Sequence, residues 1–285
     1  MAVIRQIASF LRWRLIPVRY VGRATRVRSY SFRRRRPPSL EITQQVERFG
    51  YALGNRIDKK ILEQIVALYT PRKGSVVPNE KGHPFVNLVT DNDVNVDNPL
   101  WQLVFSPDVI EVARDYFGGY CTLDSVQVLY SWQTSGPLRD SQKWHKDYGD
   151  SKSLHFMIYL NDVTDDSDGP FVFIDKASTR KIRRTPIIRR INDQQFLSEL
   201  GDRKPIRFLG TAGDYAVVDP AVCYHYGSRC RSAEGRLALF ITFNSDMPFV
   251  PAQDLISGNS QEIASLAKRW RPDFSGEFLN RLLGL

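Results

Sequence analysis

Four histidines occur in 285 residues, and one of them, His145, stands two residues before an acid, Asp147, in the stretch WHKDYG (144–149). An imidazole and a carboxylate offer a metal ion one nitrogen and one oxygen. In an extended strand, residues two apart face the same side, so this pair can address a single point. A third ligand is required. His225, 80 residues further on in AVVDPAVCYHYGSR, lies beside a strand-like run and supplies a second imidazole. Two histidines and one carboxylate form the facial triad of non-haem Fe(II) oxygenases, which leaves coordination positions open for reactants. Each piece alone occurs by chance in many chains, and a lone histidine is more often a hydrogen-bonded structural group.

Arg236 opens the run RLALFITFN, eleven residues after His225. A guanidinium is a planar, two-pronged, permanently charged donor to carboxylates. An iron oxygenase that consumes 2-oxoglutarate needs such an anchor for the carboxylate far from the metal. The plainer reading is a surface arginine at a strand start. Cys121, Cys223 and Cys230 are too few, and odd in number, for a disulfide framework, which points to a reducing compartment. Cys223, His225 and Cys230 are close enough in sequence to suggest zinc, but no C-x-x-C pair accompanies them. Buried thiols flanking a histidine are the more economical reading.

The elements that must position these groups come in blocks. From about 40 to 120 helical patterns dominate. Ile61, Leu62, Ile65, Val66 and Tyr69 form one apolar stripe, ended by Pro71. Ser106 and Pro107 read as the start of a second helix and Gly118-Gly119 as its end. From about 121 the period changes to two, in VQVLYSWQ, LHFMIYLND, GPFVFI, YAVVD and RLALFITFN, with turn clusters DDSDG and GTAGD between them. Short strands without βαβ alternation predict an antiparallel sandwich or barrel. After about 255 the chain returns to helix, with Asp273 or Ser275 starting the last one.

Net charge is +9, yet residues 1–40 carry eleven arginines and no acid, which leaves a body of net −2. Nucleic acid is therefore not expected as a partner, since that function wants a basic face on the folded domain. In the head, Ile4, Ile7, Leu11 and Leu15 recur at helical spacing among arginines. This fits an amphipathic helix on an anionic membrane surface, a mitochondrial transit peptide, or a solvated or packed basic tail. A cytoplasmic protein with peripheral membrane contact is expected, a mitochondrial one if the head is a transit peptide. Pro37-Pro38 mark a boundary. No run is long and apolar enough to span a bilayer.

With H-x-D at 145–147, His225 and Arg236 in this order, the chain resembles the phytanoyl-CoA dioxygenase family of Fe(II)/2-oxoglutarate oxygenases. GYAL (50–53), WHKD, IYLNDVT, DGPF, GDYAVVDPAVCYHYGSR and GRLALFITFN are similar to family segments over roughly residues 42–245. The resemblance implies a mainly β protein with flanking helices (α+β), built on a double-stranded β-helix of the jelly-roll or cupin type. A basic segment 1–40 precedes a dioxygenase domain 41–285. That domain divides into a helical lead-in 41–120, a β-helix core 121–250 and C-terminal helices 251–285. The resemblance further implies that His145, Asp147 and His225 hold Fe(II) and that Arg236 anchors 2-oxoglutarate. Gln127 resembles a family glutamine near the keto acid, and reads equally well as a half-buried polar residue of a strand. O2 is the oxidant, and succinate and CO2 leave.

This sequence departs from the family at two places. A histidine that often follows the GPF segment is replaced by Thr179, after Ser178. A serine that often stands two residues after the second histidine is replaced by Gly227, with Ser228 next to it as the alternative cosubstrate contact. Asp147 favours hydroxylation or desaturation over halogenation, because related halogenases have a small residue there. His155 and His83 read as packed and loop histidines without a role in the triad.

The expected partner is a small-molecule substrate. Between Lys176 and Arg207 ten basic residues face three acids, so Arg183, Arg184, Arg189 and Arg190 are candidates to steer an anion to the site mouth, or else form a solvated or docking loop. The competing functions are a cupin-like isomerase or hydrolase, which has no need of Arg236, and a noncatalytic protein working through its basic head.

Overall fold

The computed structural model describes residues 37–54, 56–78, 83–182, 190–248 and 250–285. The patterned head around Ile4–Leu15 and the linker residues Arg183, Arg184 and Arg189 lie outside these residues. The chain runs through α1 (Glu41–Phe49), β1 (Tyr51–Gly54), α2 (Lys59–Tyr69), β2 (Phe85–Asn87), α3 (Pro99–Val104) and α4 (Pro107–Phe117) before entering its main strands. The apolar stripe predicted over 61–69 is α2, whose first turn is capped by Asp58 accepting from the Ile61 N–H at 2.9 Å. Ser106 does precede α4, but its hydroxyl donates to the Leu103 carbonyl instead of capping, and Pro107 and the left-handed Gly118 bound the helix.

The strands are β3 (Cys121–Ser131), β4 (Trp144–His145), β5 (Ser153–Tyr159), β6 (Phe171–Phe173), β7 (Arg190–Ile191), β8 (Ile206–Phe208), β9 (Tyr215–Val218), β10 (His225–Tyr226) and β11 (Arg236–Ser245). Between them lie α5 (Lys176–Thr179) and α6 (Asp193–Leu200). α7 (Asp254–Gly258), α8 (Ser260–Trp270) and α9 (Gly276–Leu283) close the chain, and Ser275, not Asp273, caps α9.

Two antiparallel sheets result. The larger has the order β1-β9-β5-β11-β3-β2 and the smaller β7-β4-β10-β6-β8. The large sheet's strands are apolar on both faces, as a sheet covered on both sides requires. Leu237, Leu239, Ile241 and Phe243 of β11 join Leu154, Phe156 and Ile158 of β5 in a core shared with the helices. The alternate residues, among them Met157, Tyr159, Ala216 and Ala238, meet Phe171, Phe173 and Phe208 of the small sheet. Tyr159 ties the two layers: its ring stacks on Phe208 at 4.7 Å, and its hydroxyl donates to the Phe208 carbonyl at 2.7 Å. The outer face of the small sheet is covered by α6, with Trp144 stacked on Phe196 at 3.9 Å.

This is the α+β, double-stranded β-helix arrangement expected from the sequence. The lead-in is not wholly helical, because β1 and β2 supply the two edges of the large sheet. Among the described residues no helix is long and apolar enough to cross a membrane.

Candidate metal centre

His145 and His225 face each other directly across the antiparallel pair β4–β10, with ring centroids 4.3 Å apart. Asp147 lies just past the end of β4, so strand alternation does not place it beside His145 as the H-x-D spacing suggests. A loop does, held by the Asp147 N–H donating to the Pro220 carbonyl at 2.9 Å. One ligand atom from each of the three residues falls within 4.8 Å of the other two. Asp147 Oδ1 is 3.9 Å from His145 Nε2 and 3.8 Å from His225 Nε2.

The tautomers follow from the second ring nitrogens. His145 Nδ1 is 2.8 Å from the Lys143 carbonyl and His225 Nδ1 is 3.1 Å from the Cys223 carbonyl. A carbonyl only accepts, so each Nδ1 carries the proton and each Nε2 presents a lone pair toward Asp147. Burial, and next the neighbouring His225, push His145 down to about 3, so it stays neutral at physiological pH. Burial would raise Asp147, but the fields of His225, His155 and His145 prevail and hold it below the ordinary carboxylate value. The donor set is thus two imidazole Nε2 atoms and one carboxylate, a set that suits a divalent cation. The side chains of His145 and His225 are 11% and 6% exposed and that of Asp147 37%, so the carboxylate is the most exposed of the three groups.

Arg236 begins β11 opposite Ser131 and is buried, 1% exposed. It is not the surface arginine of the plainer reading. Nη1 donates to the Gly169 carbonyl at 2.7 Å and Nη2 to Ser228 Oγ at 3.1 Å, while buried Nε has no partner. Two of the five guanidinium N–H groups are engaged, and no carboxylate among the described residues pairs with the charge. Ser228 adopts φ +60° and its hydroxyl also meets Ser131 Oγ at 2.9 Å. Gly227 lies against the guanidinium: a Cβ there would stand 3.2 Å from Nη1 and 3.3 Å from Nη2. This close approach is a physical reason for glycine at this position.

Gln127 of β3 pairs with Phe240, two steps along the same inner face from the Ser131–Arg236 pair, between the arginine and the His155–Thr242 level. Thr179 is fully buried and accepts from the Tyr224 N–H at 3.1 Å, a structural role. Cys223 and Cys230 are free and buried, as the economical reading held. Arg190 is described, and it pairs across β4 with His145 and contacts Asp140. His83 meets Asp140 as well, away from the triad.

His155 is the residue that the sequence reading passed over. It sits on the inner face of β5, opposite Thr242, and its Nε2 is 3.5 Å from Asp147 Oδ2. The signal was available in LHFMIYL, where His155, Met157 and Tyr159 share one side of the strand.

No protein-family model matches the chain, and no curated protein matches it. Solved structures do match its fold. EctD from S. alaskensis, with bound Fe, aligns at a TM-score of 0.55 and 15% identity, covering 76% of this chain and 80% of that one. SnoN, a non-heme alpha ketoglutarate dependent epimerase from nogalamycin biosynthesis, aligns at 0.53 and 14%, covering 72% and 80%. HygX from Streptomyces hygroscopicus, with nickel and 2-oxoglutarate bound, aligns at 0.50 and 12%, covering 73% and 87%. The fold of this chain is that of these enzymes, and His145, Asp147 and His225 form an H-x-D…H cluster within it.

Proposed function

We propose that the protein is an Fe(II)- and 2-oxoglutarate-dependent dioxygenase acting on a small molecule. The observation that carries this reading is the pairing of two features in one barrel. A two-histidine, one-carboxylate cluster has its lone pairs turned to a common point. A buried arginine has no carboxylate partner among the described residues. A cupin-like isomerase or hydrolase needs the first and has no use for the second.

His145, Asp147 and His225 would hold the iron, and Arg236 the far carboxylate of 2-oxoglutarate. Gln127 lies between these ends and would contact the keto acid. When bound, the iron and its cosubstrate supply the oxidising chemistry, with O2 consumed and succinate and CO2 released. The protein supplies placement. The Lys143 and Cys223 carbonyls fix both imidazole planes and tautomers. Ser228 and the Gly169 carbonyl hold the guanidinium in one orientation before any carboxylate arrives, which lowers the ordering cost of binding. Phe171 and Phe173 pack the barrel between the sheets and exclude water from the reacting end.

Asp147 occupies the carboxylate position, which supports hydroxylation or desaturation over halogenation. Similar folds include an epimerase and a carbocyclase, so the fold leaves the oxidative outcome and the substrate open. Peripheral membrane contact through the head, and a domain boundary near residue 40, belong to the same proposal. Succinate release with Fe(II), 2-oxoglutarate and a metabolite library tests the reaction class. Turnover of 2-oxoglutarate above a metal-free control is the expected result; its absence with every metabolite, together with no binding of 2-oxoglutarate to the metal-loaded protein, rejects the reading.

A further inference from the structure

Asp147 stands between imidazoles on two sides. Its Oδ1 faces His145 and His225 at 3.9 and 3.8 Å, while its Oδ2 faces the third imidazole, His155, at 3.5 Å. His155 belongs to a different sheet from the other two. It lies on β5 with Thr242 of β11 and Val218 of β9 as its strand neighbours, and its ring stands edge-on to Phe240 at 6.3 Å. Its side chain is 15% exposed, and it is not part of the cluster whose ligand atoms converge within 4.8 Å.

We propose that His155 is a positioning residue for Asp147: its Nε2–H donates to Oδ2 and so reserves Oδ1 alone for the metal. This rests on the triad reading given above. A carboxylate can meet a cation through one oxygen or two, and a two-oxygen contact consumes a coordination position that an oxygenase needs for its reactants. Asp147 is exposed to that alternative because it sits in a loop past the strand end, where its backbone N–H is tied to the Pro220 carbonyl. The distance of 3.5 Å is a few tenths of an ångström beyond a hydrogen bond, within the reach of a small side-chain rotation. His155 thereby takes the opposite tautomer to the two ligands: their protons sit on Nδ1 against carbonyls, its proton on Nε2 against a carboxylate.

Co(II) binding to the full-length protein tests this, followed by calorimetry and by the visible absorption spectrum of the bound ion. The variants are His155→Leu, which removes the donor, and His155→Gln, which keeps an N–H near the place of Nε2. Both are close to histidine in volume, and melting by circular dichroism reports their folding. His155→Leu is expected to bind Co(II) roughly 10–100-fold more weakly with an altered spectrum, and His155→Gln to stay within about threefold of the parent with its spectrum retained. An unchanged affinity and spectrum for His155→Leu overturns the proposal. So does a Gln variant as weak as the Leu variant, since the N–H would then be irrelevant. His225→Ala is the control that separates the two readings. If it too binds Co(II) like the parent, the triad itself is wrong; if it loses Co(II) while His155→Leu does not, the assignment of His155 alone fails.

Discussion

The two sheets contribute to the site by opposite means. The large sheet offers long strands: β11 pairs with β3 along ten residues with one register shift, between Thr242 and Phe243, and Arg236 lies opposite Ser131. The small sheet offers fragments. Both histidine ligands sit in two-residue strands, and the carboxylate between them is in a loop. Rigidity at the metal end therefore comes from side-chain and carbonyl contacts: Nδ1 to carbonyl on each histidine, and the backbone of Asp147 to Pro220. On the proposed function, the long sheet would set where the cosubstrate ends and the short one where the metal sits.

Breaking the short-sheet half should have the largest effect. His145→Ala removes a ligand outright, and metal affinity is expected to fall by more than the roughly 10–100-fold typical of outer-shell partners. Calorimetric titration with Fe(II) under anaerobic conditions, or with Co(II), measures it. Affinity within a few-fold of the parent would mean that the cluster is not the metal site. The thermal midpoint is followed alongside, because the His145 ring is buried against His225 at 4.3 Å and its removal leaves a cavity.

Breaking the long-sheet half should separate the two ends. Arg236→Leu removes a buried charge that would pair with a carboxylate, a loss of about 2–3 kcal/mol, or roughly a hundredfold in KM for 2-oxoglutarate. Metal affinity in the absence of cosubstrate should hold. An unchanged KM would assign the anchor to another cation. A smaller perturbation sharpens the same point: Gly227→Ala sets a methyl 3.2 Å from Nη1. The guanidinium must shift, and overpacking of this kind costs about 1 kcal/mol, about fivefold in KM for 2-oxoglutarate. If Gly227→Ala leaves that KM untouched while Arg236→Leu raises it, the arginine tolerates displacement and its orientation is not fixed by Gly227.

The same contrast decides what was legible in the sequence. A ten-residue strand repeats its period often enough to be seen, and RLALFITFN and LHFMIYLND correspond closely to β11 and β5. A two-residue strand has no period, so β4, β7 and β10 are invisible in the sequence, although the histidines of β4 and β10 stand out by residue type. The contact of His155 with Asp147 is hidden for the reverse reason. Its strand was plain, but a single histidine among Leu154, Phe156 and Met157 reads as packing until the three-dimensional partner is known, and Asp147 comes to it from a loop. The tightness at Gly227 likewise depends on where Arg236 reaches across the barrel, which spacing does not encode. The steering role suggested for Arg183, Arg184 and Arg189 concerns residues outside those described, while Arg190 is engaged with Asp140 at the edge of the small sheet.

The mildest expected effect on the site comes from the segment that joins the sheets. β9 of the large sheet leads to β10 of the small one through Asp219-Pro220, and Asp219 is buried at 1% exposure. Its Oδ2 accepts from the Tyr116 hydroxyl at 2.7 Å, and its Oδ1 accepts from the N–H groups of Ser153 at 3.3 Å and Ala221 at 2.9 Å. Burial nevertheless dominates and pushes its pKa from 3.8 up to about 6. A carboxyl whose folded value is raised binds its proton more tightly when folded. Its favourable contribution is therefore complete below the unfolded value and is lost as pH rises through the folded one. The parent protein should lose stability relative to Asp219→Asn between pH 4 and pH 6.5, by an amount on the order of 1–3 kcal/mol. Asparagine can keep the two backbone contacts to Oδ1 while carrying no charge, so its own curve lacks this component. Urea unfolding of both proteins across that range, compared as a difference, cancels other acids that titrate there, including Asp124, which burial also raises to about 6. Metal affinity and KM for 2-oxoglutarate should be the same in both. A flat difference from pH 4 to 6.5 would mean that the three donors stabilise the ionised carboxylate enough to offset its burial. A changed metal affinity would show that this connection between the sheets also sets the position of Asp147, through the Pro220 carbonyl that holds its backbone.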